Sequence, residues 1–175
     1  EAYLFQRDQD GVWRPYDTPG AFVYGCGTLN DPRGVMDEIW ETAHRCGLPL
    51  ESTNGEFDNG QFELTLSFTD ALRACDGAFL VRTMAREVAA RHGLLLSYLA
   101  KPIPDRGGSG LHVNFSLVDE NVQNVVAPHG RLYKTSQNCI AGLLRHHEGL
   151  SALLAMTVNS YDRLTPASMS GYWAN

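Results

Sequence analysis

The hydrophobic period changes along the chain, and this change constrains the fold more than any other feature. Over residues 32–46 the apolar positions recur at helical spacing, which predicts a helix with Asn30 or Asp31 as its cap. Over residues 62–68 apolar and polar residues alternate, which predicts a half-buried strand with Glu63 on its polar face. A chain that carries both periods must pack helices against a sheet.

The same patterns place the remaining elements. Strands are predicted at residues 2–5, 94–99 and 111–117, and helices at 70–92 and 136–157. The apolar stripe expected to face the core from the second helix consists of Leu72, Phe79, Leu80 and Met84. Because the strand alternation is one-sided, the strands are expected to be mostly antiparallel. The predicted fold class is α/β (α+β), with a curved, mostly antiparallel sheet flanked by helices.

Composition excludes several function classes. The 175 residues carry 20 acidic and 14 basic side chains, and no basic stripe alternates with aromatics, so nucleic acid is not an expected partner. No apolar run is long enough to span a membrane. The four cysteines form no CxxC pair and no signal peptide precedes them, which favours free thiols and a cytoplasmic location. The abrupt ends suggest a fragment of a larger chain.

Two glutamates flank a predicted turn. Glu56 and Glu63 are separated by Asn59 and Gly60, and a reversal there would bring both carboxylates to one place. Oxygen ligands of this kind suit a hard divalent cation. The alternative is that both are solvated glutamates of a strand and a loop, and the segment alone leaves this open.

A second polar group follows a run of glycines. Residues 107–110 read Gly-Gly-Ser-Gly, which could expose backbone amides to an anion, and His112, Asn114 and Ser116 then share one face of the predicted strand. A histidine on a strand can also be purely structural, and a glycine-rich segment can be an ordinary loop. We expect His112 to converge with Glu56 and Glu63 on one cation-binding cleft.

These segments, taken in order, resemble the glutamine synthetase family over essentially the whole chain. The hairpin Asn-Gly-Glu56 through Gly-Gln-Phe-Glu63 looks like the metal-binding hairpin of that family. Lys101-Pro followed by Gly-Ser-Gly-x-His112 and Ser116 looks like its ATP-region signature, and Asn159-Ser-Tyr-x-Arg163-Leu looks like its substrate-arginine motif. The resemblance implies a partial catalytic domain over residues 1–175, without the N-terminal β-grasp domain and the C-terminal end of the family.

The resemblance also implies roles for individual residues. The expected ligands of Mg²⁺ or Mn²⁺ are Glu1, Glu56, Glu63 and His112. The expected nucleotide contacts are Glu51, Phe68, Asn114 and Ser116. Gly108 and Arg163 are expected to contact the glutamate substrate, and Arg163 is the expected catalytic residue.

The activity that the resemblance implies is ligation of glutamate to an amine with ATP. ATP phosphorylates the γ-carboxylate, and the amine then displaces phosphate from the acyl phosphate. In this family each active site is shared between neighbouring subunits of a ring, so the full-length protein is expected to be a large homo-oligomer.

Two departures from the family bear on the amine. Gly107 stands where ammonia-using members usually carry an asparagine, and the segment around Met169 lacks the glutamate that helps those members use ammonium. The pattern is similar to the γ-glutamyl-amine ligases, such as the γ-glutamylputrescine synthetase type. A small organic amine or polyamine is therefore the expected acceptor. Ammonia, as in glutamine biosynthesis and nitrogen assimilation, is the alternative, and a non-catalytic family member is a second.

Overall fold

Strand β1 (Ala2–Arg7) forms the centre of a five-stranded sheet in the computed structural model, which describes residues 1–127 and 130–164. The other strands are β2 (Trp13–Pro15), β3 (Leu50–Gly55), β4 (Gln61–Leu66) and β5 (Leu95–Ser97). Every pairing in this part of the chain is antiparallel, in the order β2-β1-β4-β3 with β5 also paired to β1. The predicted antiparallel sheet is confirmed, and it is open rather than closed.

The register shows how β1 is held. Tyr3 pairs with Gln61 of β4 and with Ser97 of β5, so β4 and β5 lie on opposite edges of β1. The turn between β3 and β4 presses against β1, because Leu4 N donates to Gly60 O at 2.8 Å. Gly60 has a φ of 78°, and a Cβ there would lie 2.9 Å from the carbonyl oxygen of Tyr16. Only glycine combines this conformation with this close approach.

The described residues form four helices, of which the first two along the chain pack against the sheet. The helices are α1 (Val35–Arg45), α2 (Ala71–Arg91), α3 (Lys134–Leu154) and α4 (Val158–Arg163). The predicted limits of α2 are confirmed, since Asp70 caps it by accepting from Arg73 N at 3.1 Å and Gly93 follows with a φ of 68°. Within the described residues, no helix is both long and apolar enough to cross a membrane.

The core lies between α1, α2 and the sheet. Its most buried side chains are aliphatic or aromatic and include Leu4, Val35, Ile39, Ala43, Leu50, Phe62, Val81, Ala85, Val88 and Leu96. Burial of apolar surface at about 25 cal/mol per Å² is the main force that holds the helices on the sheet. The helical period over residues 35–43 and the strand alternation at Phe62 both predict members of this core correctly.

The predicted inward stripe of α2 is wrong for three of its four residues, whereas Met84 is partly buried and packs against the core. Leu72 and Phe79 are 73% and 69% exposed, and Leu80 is also exposed, whereas the buried positions include Gly77 and Ala85. A Cβ at Gly77 would lie 2.7 Å from Pro49 Cγ, so the chain approaches this face too closely for a larger side chain. The inward face is made mostly of glycine, alanine and valine, and a search for larger apolar residues mostly selects the opposite face.

Three further expectations need correction. Residues 111–117 form no strand, and their side chains are exposed; an isolated bridge joins Val118 to Asn124 nearby. A strand needs an edge to pair with, and the described residues supply none there. The helix predicted over residues 136–157 is confirmed as α3, which ends at Leu154, but Asn159, expected to break the helical pattern, lies inside the separate helix α4. Strand β4 ends at Leu66, so Phe68 lies beyond it and is 94% exposed.

The start of α1 also differs from the expectation. Gly34 is the N-cap residue, with a left-handed φ of 65°, rather than Asn30 or Asp31. The Asp31 carboxylate still accepts from Met36 N at 2.6 Å, and it accepts the Tyr16 hydroxyl at 2.8 Å. Asp31 thus ties the first turn of the helix to the loop after β2.

We predict that Asp31→Ala lowers the free energy of unfolding by about 1–3 kcal/mol, because it leaves a buried hydroxyl and a helix amide without their acceptor. Denaturant titration of the purified protein measures this loss. Asp37→Ala is the control, since Asp37 is exposed in the first turn of the same helix and should cost less than ~1 kcal/mol. Equal losses for the two variants would contradict the prediction.

Candidate functional site

Two carboxylates and an imidazole meet at the edge of the sheet. Glu1 lies directly before β1, Glu63 lies in β4, and His112 follows the glycine loop (residues 107–110). One ligand atom from each of the three lies within 4.8 Å of the other two. The β1–β4 register, with Ala2 opposite Phe62, brings Glu1 opposite Glu63 in an antiparallel pair.

This donor set fits a divalent cation. Like charges that face each other across two strands are destabilising, and a cation between them removes the repulsion. Carboxylate oxygens suit Mg²⁺ and Mn²⁺, and imidazole nitrogen is a common ligand of transition metals. The site of Glu1, Glu63 and His112 is therefore a candidate metal centre, as the sequence predicted for these three residues.

Glu56 lies beside this centre but outside the group of three. The Glu56 side chain is partly buried, and this burial raises its pKa above the ordinary value. The negative charges of Glu1 and Glu63 raise the pKa further. The carboxylates of Glu56, Glu1 and Glu63 thus feel one another. Glu56 is near enough to act on a bound cation through its charge, and its role as a ligand stays a prediction.

The glycine loop orients Glu1. Gly110 N donates to Glu1 Oε2 at 2.7 Å, and the backbone nitrogen of Glu1 donates to Gly110 O at 3.0 Å. A hydrogen bond to a ligating carboxylate fixes its direction and tunes its basicity. Of the glycine loop amides, those of residues 107, 109 and 110 all bond to protein oxygens. The expectation that these amides are open to an anion is therefore wrong.

Arg163 lies across the glycine loop. A Cβ at Gly108 would lie 2.6 Å from Arg163 Cδ, so the arginine stem occupies the space that a side chain would need. A Cβ at Gly110 would lie 3.6 Å from Arg163 Nη1 and 3.2 Å from Glu1 Oε1, which brings the guanidinium close to the candidate metal centre. The structure thus joins Gly108 and Arg163, the two residues expected to contact glutamate.

A reciprocal amide pair holds α4 in this place. Asn159 Nδ2 donates to Lys101 O at 2.8 Å, and Lys101 N donates to Asn159 Oδ1 at 2.8 Å. Lys101 Nζ also donates to the carbonyl oxygen of Arg106, at the start of the glycine loop. Lys101 and Asn159, which stand in two separate sequence motifs, together position Arg163.

The residues expected to contact the nucleotide are all exposed. They are Glu51, Phe68, Asn114 and Ser116. Exposure leaves them accessible to a ligand, and their assignment to ATP stays a prediction. The segment around Met169 lies outside the described residues.

Sequence reasoning missed Tyr3 and Asp58. The Tyr3 hydroxyl lies 2.8 Å from Asp58 Oδ2 and 2.9 Å from Gly107 O. Burial raises the pKa of Tyr3 well above its ordinary value, and the hydrogen bond with Asp58 raises the pKa further. The available signal was the position of Asp58 between Glu56 and Glu63 in the hairpin.

The chain is similar to several known proteins. The family model "Glutamine synthetase, catalytic domain" matches residues 2–175. Type-1 glutamine synthetase 1 of Dictyostelium discoideum is 36% identical over 140 residues, which cover 78% of this chain and 28% of that protein. Glutamate–methylamine ligase of Methyloversatilis universalis is 36% identical over 154 residues, which cover 86% of this chain and 35% of that protein.

The chain also resembles solved structures. The structure described as a GmaS/ADP complex superimposes with a TM-score of 0.81 at 29% identity and covers 98% of this chain and 41% of that one. The site combines an antiparallel sheet, two carboxylates and a histidine at its edge, and a glycine loop with an arginine beside them. The chain belongs to the glutamine synthetase family. It spans well under half the length of the curated relatives that it matches.

We predict that Glu63→Gln and His112→Ala each raise the dissociation constant for Mn²⁺ at least ~10-fold, because each removes one of the converging donors. Electron paramagnetic resonance of free Mn²⁺ measures this change without any turnover. The control is Glu87→Gln, which removes an exposed carboxylate from α2 and should leave the affinity unaltered.

The Mn²⁺ affinity should also depend on pH through Glu56. Because its pKa is raised above the ordinary value, this carboxyl is protonated at a higher pH than an ordinary glutamate and then no longer attracts the cation. As the pH is lowered, the affinity should therefore begin to fall at a higher pH than an ordinary glutamate would cause. Glu56→Gln should remove this part of the pH dependence, and an unchanged pH profile would contradict the account.

Proposed function

We propose that the protein is an ATP-dependent carboxylate–amine ligase that forms a γ-glutamyl amide through γ-glutamyl phosphate. The observation that carries the proposal is the convergence of Glu1, Glu63 and His112 beside Arg163 in a chain of the glutamine synthetase family. A cation site next to a fixed guanidinium suits a reaction that moves a phosphoryl group onto a carboxylate.

The residues divide the work of this reaction. Glu1, Glu63 and His112 would hold Mg²⁺ or Mn²⁺, with Glu56 beside them. Such an ion, when bound, spreads the negative charge of the transferring phosphoryl group. Arg163 offers its guanidinium to the carboxylate or phosphate of a substrate, which it can bind with two parallel hydrogen bonds.

The proposed chemistry has two steps. An oxygen of the glutamate γ-carboxylate attacks the γ-phosphorus of ATP, and ADP leaves. The amine nitrogen then attacks the acyl carbon, phosphate leaves, and the nitrogen loses a proton. Gly108 lets the substrate and Arg163 approach the backbone closely, since a side chain there would overlap Arg163. Glu51, Phe68, Asn114 and Ser116 are the proposed contacts to ATP.

A small organic amine or polyamine is the proposed acceptor. A cavity of about 80 Å³ lies beside Glu56, and its lining includes Phe22, Val23 and Phe57. An acidic group next to apolar side chains suits a cationic amine with an alkyl body. The lack of a carboxylate at Met169 supports the same choice. The relatives include glutamate–isopropylamine ligase of a Pseudomonas species at 36% identity and glutamine synthetase of Halobacterium salinarum at 33%.

Ammonia remains the second candidate. It is favoured by the several relatives that are named glutamine synthetase, including the one from Dictyostelium discoideum. The two candidates share every proposed metal residue. They differ in the group that attracts and deprotonates the acceptor.

We predict that the full-length enzyme, given ATP, Mg²⁺ and glutamate, releases phosphate faster with a small alkylamine, ethanolamine or polyamine than with equal ammonium. Met169→Glu should shift the ratio toward ammonium, because a general base contributes typically ~10²–10⁴-fold. Met156→Glu is the matched control, since Met156 is an exposed methionine after α3. Ammonium as the best acceptor of the unmodified enzyme would establish ordinary glutamine synthesis instead. No phosphate release with any amine would favour a non-catalytic member.

We further propose that the full-length protein is a large homo-oligomer of ring type with active sites shared between subunits. Sedimentation of the full-length protein should give a mass many times that of one chain. A monomer with undiminished turnover would contradict this proposal.

A further inference from the structure

The Asp58 carboxylate connects the hairpin to the glycine loop. Its Oδ2 atom accepts from Gly107 N and lies 2.8 Å from the Tyr3 hydroxyl, which also lies 2.9 Å from Gly107 O. Both polar atoms of the Gly107 backbone are therefore engaged by two side chains. A charged acceptor makes stronger hydrogen bonds than a neutral one, so the Asp58 carboxylate holds the Gly107 amide strongly.

Gln61 adds a second connection between the same two segments. Its Nε2 donates to Gly108 O at 3.0 Å, and its Oε1 accepts from Asp58 N at 3.3 Å. Gln61 is buried and lies in β4, next to the center of the sheet. The glycine loop is thus hydrogen-bonded to the sheet through Tyr3 of β1, Gln61 of β4 and Asp58 of the turn before β4.

The geometry also explains the glycine at position 107. A Cβ there would lie 2.8 Å from Asp58 Oδ2 and 3.4 Å from Gln61 Oε1. Gly107 is not among the glycines with a positive φ, so space rather than backbone conformation requires the absence of a side chain. The carboxylate of Asp58 occupies the position that a side chain at 107 would take.

The glycine loop connects Gly107 to the groups proposed to act in the reaction. Gly108 carries the stem of Arg163, and Gly110 N donates to Glu1 Oε2. A displacement of Gly107 therefore moves both the guanidinium and one carboxylate of the candidate metal centre. Misplacement by about 1 Å can cost ~10²-fold in rate at such a site.

We propose that Asp58 is a positioning residue that sets the glycine loop, and through it Arg163 and Glu1, for substrate and cation. The proposal rests on the proposed ligase function for its substrate. The part of the proposal that concerns the cation depends only on the convergence of Glu1, Glu63 and His112.

The test uses the full-length enzyme with Asp58→Ala. We expect the KM for glutamate and the dissociation constant for Mn²⁺ each to rise ~10-fold, while the KM for ATP changes by less than about twofold. Asp58→Asn should retain most of the function, because an amide oxygen can still accept from Gly107 N. This milder variant keeps the test valid where Asp58→Ala does not fold. Asp105→Ala is the control, an exposed aspartate shortly before the glycine loop.

A double-mutant cycle tests the shared space. Gly107→Ala alone should impair both glutamate and Mn²⁺ binding, because its Cβ meets the Asp58 carboxylate. In the Asp58→Ala background the same change has no carboxylate to meet, so the double variant should be no worse than Asp58→Ala alone. Multiplied losses in the double variant would overturn the proposal.

Two other results would overturn it. One is an unchanged KM for glutamate and unchanged Mn²⁺ affinity in Asp58→Ala. The other is a lower melting temperature with both binding constants and kcat retained, as a merely structural role would give. Mn²⁺ binding can be measured without turnover, so the Mn²⁺ affinity of Asp58→Ala tests the role of Asp58 even if the unmodified enzyme forms no γ-glutamyl amide. Failure of the unmodified enzyme to form a γ-glutamyl amide would contradict the proposed function but not the role of Asp58.

Discussion

The register between β1 and β4 brings Glu1 and Glu63 opposite each other, and the rest of the site depends on this pairing. Strand pairing holds the neighbouring backbones opposite each other, which keeps these two side chains near one another. The repulsion between them extends to Glu56, whose pKa rises partly for this reason. The sheet therefore holds several negative charges close together, and His112 and the glycine loop lie beside them.

The glycine loop is held by protein groups rather than left free for a ligand. Its amides bond to Asp58, Ala100 and Glu1, and its missing side chains make room for Arg163 and for Asp58. Preorganisation of this kind lowers the entropy that a substrate must lose on binding, because the protein groups are already ordered. Under the proposed function, the loop acts on substrate through the side chains that it orients.

Much of the fold follows from local sequence pattern. The periods at residues 35–43 and at β4 predicted real elements because each buries one face, and pattern reports burial. The same reasoning failed at α2, where close packing required Gly77 and small neighbours instead of large apolar residues. It failed at residues 111–117 because alternation records a preference for pairing, while a strand also needs an available edge.

The site was predicted in part, for a similar reason. Metal-binding residue types and the family motifs pointed to Glu1, Glu63 and His112, which do converge. Asp58 and Tyr3 were missed because their importance lies in contacts across 55 and 104 residues of sequence, which no local pattern records. Nothing in the spacing of one sequence reports that a carboxylate fills the space beside a glycine.

The hydrogen bond from Gly110 to Glu1 joins residues 109 positions apart, and Arg163 reaches the same place from still farther along the chain. Contacts of such high sequence separation close large loops, which slows folding more than it weakens the final state. The site can thus form only after nearly the whole described chain has been synthesised and has collapsed. A cation that binds there has no comparable site in the unfolded chain, so divalent metal at concentrations above its dissociation constant would stabilise the folded chain.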